Sequence, residues 1–114
     1  MSIHTEILDI FQSRAPFIVA SHRRPDGDAL GSMLGLSLWL RRRGSEAWAV
    51  CPGGPPDTFR FLPGVDLLEA GVPGELESYV LIVVDTPDVS RVDGGYGLKK
   101  NSRSVINIDH HPDN

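Results

Sequence analysis

The apolar positions of this chain alternate between helical and strand-like spacing. Isoleucines near the N-terminus recur at helical intervals and predict an amphipathic helix over residues 3–13. Short apolar runs at residues 17–20, 46–51, 79–84 and 104–108 have the length and composition of strands. The run at 79–84, Tyr-Val-Leu-Ile-Val-Val, contains no charged position, which is typical of a strand buried on both faces of a parallel sheet.

A second helix is predicted for residues 29–43, with Asp28 as its N-cap and Gly44 just after its last turn. Residues 52–64 are rich in proline and glycine and indicate a loop, and residues 65–70 indicate a short helix or an edge strand. Strands that alternate with helical segments predict an α/β fold with a mostly parallel β-sheet flanked by helices.

Composition narrows the class of protein. The chain has 114 residues, of which 40% are hydrophobic and 23% charged, as expected of one globular domain. No apolar run approaches the ~20 residues of a membrane span, and no signal peptide is visible. A single cysteine, Cys51, excludes an internal disulfide framework, and the net charge of −4 is unlike a duplex-binding domain. These features predict a cytoplasmic protein.

Acidic residues and histidines follow three of the predicted strands. In open parallel sheets, ligands bind beyond the carboxyl ends of the strands, so these side chains are candidates for one common site. The three clusters are His22 with Asp26 and Asp28, then Asp85, and finally Asp109 with His110 and His111.

The clusters have the chemistry of a metal site that binds phosphate. Carboxylates and imidazoles together suit Mn²⁺, and carboxylates alone would also suit Mg²⁺. Two such ions ~3.5–4 Å apart can hold the attacking and leaving oxygens of a phosphoryl displacement. Gly27 would allow the bend that aims Asp26 and Asp28 at neighbouring ions. Gly31 and Ser32 lie in the first turn of the following helix, whose N-terminus attracts anions, and are candidate substrate-binding residues.

Glycine inside a helix costs about 1 kcal/mol relative to alanine, so Gly31 and Gly35 need an explanation. We expect Gly35 to pack tightly on the sheet, and for Gly31 either packing or room for a ligand would serve.

Each cluster alone has an ordinary alternative: a turn, a helix cap, or exposed loop histidines. An Asp-x-Asp turn after a strand also occurs in haloacid dehalogenase-like phosphotransferases, which use an aspartate nucleophile. Here the stretch Ser21–Pro25 separates the strand from Asp26, and a tandem histidine has no role in that chemistry. The coincidence of all three clusters at strand ends favours the metal or phosphate site.

Three segments resemble the motifs of the DHH phosphoesterase superfamily, in the same order. They are Ser-His-Arg-Arg-Pro-Asp-Gly-Asp-Ala-Leu-Gly-Ser at 21–32, Val-Val-Asp-Thr at 83–86 and Asn-Ile-Asp-His-His-Pro at 107–112. The first segment is most similar to that of the oligoribonuclease and pAp-phosphatase branch, the nanoRNases.

The resemblance implies two bound Mn²⁺ ions bridged by Asp85, with Mg²⁺ or Co²⁺ as other candidates. It implies that His111 contacts the scissile phosphate and that Asp109 orients the histidines. The remaining implied ligands are His22 and Asp26 for one ion, and Asp28 and His110 for the other.

Members of the superfamily continue through a fourth motif, which supplies a further metal-binding aspartate, to a smaller C-terminal substrate-binding domain. Residues 1–114 are therefore expected to be an incomplete DHH catalytic domain. The resemblance implies a Mn²⁺-dependent, exonuclease-like hydrolase of short oligonucleotides, linear dinucleotides or pAp. The alternative is a non-catalytic metal- or nucleotide-binding fragment or scaffold. A homodimer could form through the uncovered face of the sheet.

Overall fold

The computed structural model describes residues 2–13, 15–22, 25–52, 54, 57–74, 76–86 and 95–109. Three α-helices and five β-strands make up the fold of these residues, together with 3₁₀ turns at Asp57–Phe59 and Val65–Leu67. In chain order they are α1 (Ile3–Gln12), β1 (Phe17–Ala20), α2 (Gly27–Arg42), β2 (Ala47–Val50), β3 (Leu68–Glu69), β4 (Tyr79–Val84), α3 (Gly95–Lys100) and β5 (Ser102–Ile108).

The five strands form one parallel sheet in the order β3-β2-β1-β4-β5. The central strand β1 pairs with β2 on one side and with β4 on the other, so that Phe17 lies opposite both Ala47 and Val80. From β1 the chain moves outward to β2 in one direction, and from β4 it moves outward to β5 in the other. The α/β fold with a parallel sheet flanked by helices is therefore confirmed.

Two apolar cores cover the two faces of the sheet. On one face α2 packs against alternate residues of β1, β2 and β4, and α1 contributes partly buried side chains. On the other face α3 contributes Leu98, which packs with β4 residues such as Leu81 and Val83. All six residues of β4 are buried, as the uninterrupted apolar run predicted. Helices on opposite faces are what right-handed crossovers in opposite directions require.

Helix α2 begins earlier than its sequence predicted. Asp26, and not Asp28, is the N-cap: its backbone is extended and its side chain accepts a hydrogen bond from the Ala29 amide. Asp28 lies in the first helical turn. The predicted position of the cap was wrong because both aspartates are good caps, and only the backbone conformation decides between them.

Helix α3 has no counterpart among the predicted elements. Its sequence, Gly-Tyr-Gly-Leu-Lys-Lys, has two glycines and no apolar periodicity. Tertiary contacts hold it instead, because Leu98 is buried and its carbonyl accepts a 2.7 Å hydrogen bond from the Tyr79 hydroxyl of β4. The expectation that Gly35 packs on the sheet was also wrong, since Gly35 is exposed and a Cβ built there meets no described residue within 4 Å.

The remaining differences are small. Strand β5 begins at Ser102, two residues before the predicted start, and β2 is one residue shorter at each end. Residues 65–70 contain both structures that were weighed, a 3₁₀ turn followed by the two-residue edge strand β3.

Candidate metal centre

Three of the candidate ligands lie close together at the edge of the sheet where the strand order changes direction. His22 follows β1, Asp85 follows β4, and Asp26 caps α2. Each offers a ligand atom within 4.8 Å of those of the other two, and His22 Nε2 lies 3.8 Å from Asp85 Oδ2. β1 and β4 are the adjacent strands from which the chain departs in opposite directions, which is where open α/β sheets bind ligands.

Asp26 both caps helix α2 and belongs to the candidate metal centre. Its Oδ1 accepts the 2.9 Å hydrogen bond from the Ala29 amide, and its main-chain carbonyl accepts the first helical hydrogen bond, from Leu30. A carboxylate has several acceptor sites, so the cap leaves the second oxygen available to a cation. The side chain is exposed, whereas His22 and Asp85 are more than half buried.

Asp85 has an uncommon backbone. Its φ is +56°, the left-handed region that side chains other than glycine, asparagine and aspartate rarely adopt. The conformation is held from both sides, because the Asp85 amide donates to the Ile108 carbonyl at 3.0 Å and the next residue, Thr86, is buried. Local strain of this kind is typical of positions where a functional side chain must be aimed.

Two polar side chains fix the strand ends that carry the ligands. The buried Ser21 hydroxyl donates a 2.6 Å hydrogen bond to the Val84 carbonyl, which ties the end of β1 to the end of β4. The Asn107 amide of β5 donates to the Thr86 carbonyl at 3.2 Å. Neither residue was among the site residues predicted from the sequence. A signal was available for Asn107, which is the one amide within an otherwise apolar run at the end of a predicted strand.

The donor set fits a divalent cation. Two carboxylates and an imidazole are ligands for Mn²⁺, and Asp85 is distant from His22 and Asp26 in sequence but adjacent to them in space. Without a cation, the two carboxylates would repel each other beside a low-dielectric sheet edge, so bound positive charge would stabilise the arrangement. The N-terminus of α2 points its positive dipole end at the same place and would favour an anionic ligand.

Other predicted site residues lie around this group. Asp28 is exposed in the first turn of α2 and is not part of the three-residue group. Gly31 and Ser32 line a cleft of about 550 Å³ between α2 and β5, together with Asp85 and Asp109. His110 and His111 lie outside the described residues. The ligand, phosphate and substrate roles given to all of these residues stay predictions.

The longest described helix, α2, has 16 residues, and no described helix is both long and apolar enough to cross a bilayer.

Comparison with known proteins identifies a family and relatives with described functions. Residues 16–114 match the model of the DHH family, N-terminal domain. A protein from Thermus thermophilus described as a bifunctional oligoribonuclease and PAP phosphatase NrnA is 36% identical, over 100% of this chain and 33% of its own length. The Bacillus subtilis protein of the same description is 31% identical, over 95% of this chain and 33% of its own length. The chain thus spans about a third of the length of these relatives.

A solved structure has the same fold. The crystal structure of an exopolyphosphatase-related protein from Bacteroides fragilis superposes with a TM-score of 0.79 at 24% sequence identity. The match covers 95% of this chain and 34% of that one. The sheet topology, the convergence of His22, Asp26 and Asp85, and the family match over residues 16–114 agree. The chain belongs to the DHH family.

Proposed function

We propose that this domain is the metal-binding part of a Mn²⁺-dependent phosphoesterase that hydrolyses short oligoribonucleotides, linear dinucleotides or pAp. The observation that carries the proposal is the meeting of His22, Asp26 and Asp85 between the ends of β1 and β4. The described function of the Thermus thermophilus and Bacillus subtilis relatives supports the choice of oligoribonucleotides and pAp.

Each of the two ions would have its own set of ligands. His22, Asp26 and Asp85 would hold one ion, and Asp85 would also reach a second, for which Asp28 and His110 are the further ligands in this proposal. The imidazole of His22 favours Mn²⁺ over Mg²⁺, because Mg²⁺ prefers oxygen ligands throughout. Divalent cations, when bound, supply Lewis-acid stabilisation of the charge that develops on a phosphoryl group.

The protein itself would hold the metal ligands in place and offset the negative charge of the phosphate. The N-terminus of α2 favours the phosphate anion at the mouth of the cleft, where Gly31 and Ser32 are the candidate contacts. The Ser21 and Asn107 hydrogen bonds fix the two strand ends, so that the ligands need little rearrangement when a cation binds.

The proposal is tested in the complete natural protein that contains this sequence. We expect Asp85→Asn to lower Mn²⁺-dependent hydrolysis of pApA at least ~100-fold, because a shared ligand supplies several kcal/mol of transition-state stabilisation. The matched control is Asp9→Asn, which removes an exposed carboxylate of α1 and should leave the rate unchanged. Undiminished hydrolysis by Asp85→Asn would show that this centre is not catalytic.

A second candidate is a non-catalytic metal- or nucleotide-binding module, and the observation in its favour is that the described group of His22, Asp26 and Asp85 is suited to bind a cation. It predicts calorimetric binding of Mn²⁺ and of pAp without turnover of any of the three substrates, even in the complete protein. Mn²⁺-dependent turnover of any one of them would exclude it.

A further inference from the structure

Phe61 is a large apolar residue that faces solvent. It is 77% exposed, which is the highest value among the large hydrophobic residues in the described part of the chain. It follows the 3₁₀ turn Asp57–Phe59 and stands between Phe59 and Leu62, which both pack against the core that α2 forms with the sheet. Exposure of a phenylalanine ring to water is unfavourable, so a ligand that covers this ring would be stabilised by the burial of its surface.

Hydrogen bonds and an ion pair hold this turn in shape. The Arg60 amide donates to the Asp57 carbonyl at 3.2 Å, and the Leu62 amide donates to the Phe59 carbonyl at 3.1 Å. Arg60 Nε also donates to Asp57 Oδ1 at 2.7 Å. Together with the packing of Phe59 and Leu62, these contacts fix the backbone on both sides of Phe61. Little conformational entropy is therefore lost when a ligand contacts the ring.

The turn lies beside the start of α2, close to the candidate metal centre. A Cβ built on Gly27 would stand only 3.3 Å from the Phe59 ring, and Gly27 directly follows the candidate ligand Asp26. Phe61 is two residues from Phe59, a backbone distance of at most ~7 Å. β2 is parallel to β1, so the loop after β2 leaves the sheet at the same edge as the segment that leads to His22.

We propose that Phe61 stacks on a nucleobase of the substrate whose phosphate is held at the metal centre. This role rests on the proposed function, since a hydrolase of oligoribonucleotides or pAp has to bind unpaired bases as well as a phosphate. Proteins that bind single strands without sequence preference use aromatic rings for this purpose, because every base has a π-face. Phenylalanine has no hydrogen-bonding group with which to select a base, so the contact should accept each of the four bases.

Kinetics of the complete natural protein test this contact with two substrates, pApA and an analogue of pApA that lacks both bases. We expect Phe61→Ala to raise KM for pApA at least about tenfold with little change in kcat, because stacking stabilises the bound substrate and the transition state alike. Hydrolysis of the abasic analogue should be the same in the natural protein and in Phe61→Ala, because the analogue has no base to stack.

Other variants separate stacking from the loss of apolar bulk. Phe61→Tyr keeps an aromatic ring and should retain the KM of the natural protein for pApA. Phe61→Leu keeps apolar bulk without a π-face and should resemble Phe61→Ala. The matched control is Ile3→Ala, which removes a 66% exposed apolar side chain from α1 and should leave the hydrolysis of both substrates unchanged.

The outcomes distinguish this role from the proposed function. If the natural protein hydrolyses none of the proposed substrates, the proposed function fails, but Phe61→Ala should still weaken calorimetric binding of pApA in the presence of Mn²⁺ at least about tenfold. Unchanged KM and affinity for pApA in Phe61→Ala would overturn the stacking role, as would undetectable binding of pApA to the natural protein. An equal loss with the abasic analogue would also overturn it, because Phe61 would then support the fold and not a base.

Discussion

At the scale of single residues, Asp26 is both a helix cap and a member of the candidate metal centre. Its Oδ1 caps α2 through the Ala29 amide, while the same carboxylate belongs to the group with His22 and Asp85. The two tasks differ in what they need: a cap needs only an oxygen acceptor, whereas a cation site needs the negative charge. Substitutions can therefore separate them.

The first prediction uses this difference. Asp26→Asn keeps the capping oxygen and should change the free energy of unfolding by only a few tenths of a kcal/mol, whereas Asp26→Ala should lower it by about 1 kcal/mol. Both should weaken Mn²⁺ binding to a similar degree, because both remove the charge. Urea unfolding and calorimetric Mn²⁺ titration of the two variants measure the two effects. Equal stability of the variants would mean that the cap contributes little.

The backbone of Asp85 has an energetically unfavourable conformation. A non-glycine residue at φ +56° is strained, more so for alanine than for aspartate, whose short polar side chain tolerates the left-handed region. The strain is tolerated because the turn is held by the Asp85 amide and by the buried Thr86.

The second prediction compares Asp85→Gly with Asp85→Ala. Both remove the carboxylate, but glycine relieves the backbone and alanine does not. We expect the glycine variant to be more stable to urea by about 1 kcal/mol, while both fail to bind Mn²⁺ at the centre. If the alanine variant proved the more stable, the left-handed conformation at position 85 would be in doubt.

At the scale of elements, β4 organises both faces of the sheet. Its side chains alternate between the core with α2 and the core with α3, and Asp85 directly follows its last residue. Tyr79, at its start, is 1% exposed and donates a hydrogen bond to the Leu98 carbonyl, which connects the strand to α3. Burial raises the pKa of the Tyr79 phenol above its ordinary value of 10.0.

The third prediction follows from that shift. Since the folded pKa of Tyr79 exceeds the unfolded one, the neutral phenol contributes stability that is complete below pH 10.0 and is lost as pH rises through the folded pKa. Urea unfolding between pH 8 and 11 should show this loss, and it should be smaller in Tyr79→Phe. The variant should also be less stable at neutral pH by about 1 kcal/mol, because the Leu98 carbonyl loses its donor. Identical alkaline profiles would contradict the assignment to Tyr79.

At the scale of the whole molecule, sheet topology brings the ligands together. β1 and β4 are far apart in sequence but adjacent in the sheet. Helix α2 begins near the end of β1, at the edge of the sheet where Asp85 also lies. Any cation bound there joins the segment of His22 and Asp26 to the distant Asp85, which the unfolded chain cannot hold together, so binding should be linked to folding.

The fourth prediction measures this linkage. Mn²⁺ at about 100 times its dissociation constant should raise the free energy of unfolding by about 2.7 kcal/mol, with Tm higher by roughly 10 °C. Asp85→Asn should show almost none of this increase, and the Asp9→Asn control should retain all of it. An equal increase in Asp85→Asn would mean that Mn²⁺ binds and stabilises the domain elsewhere.

The sequence by itself determined the class of fold and the candidates for the centre. Local signals were sufficient: the helical spacing of α1, the unbroken apolar run of β4, and acids or histidines after three strands. The motif order also indicated the DHH family, which the family match confirmed. These features depend on residues close together along the chain, and periodicity and motifs report on such residues directly.

Only the tertiary structure decided the features that depend on distant residues. The order β3-β2-β1-β4-β5 placed His22 beside Asp85, because strand neighbours are chosen by packing and not by sequence order. The same packing formed α3 from a sequence with poor helix propensity, and the backbone at Asp26 selected it over Asp28 as the cap. It also left Gly31 and Gly35 without a close neighbour among the described residues, because what a helix face contacts is set by its neighbours in three dimensions.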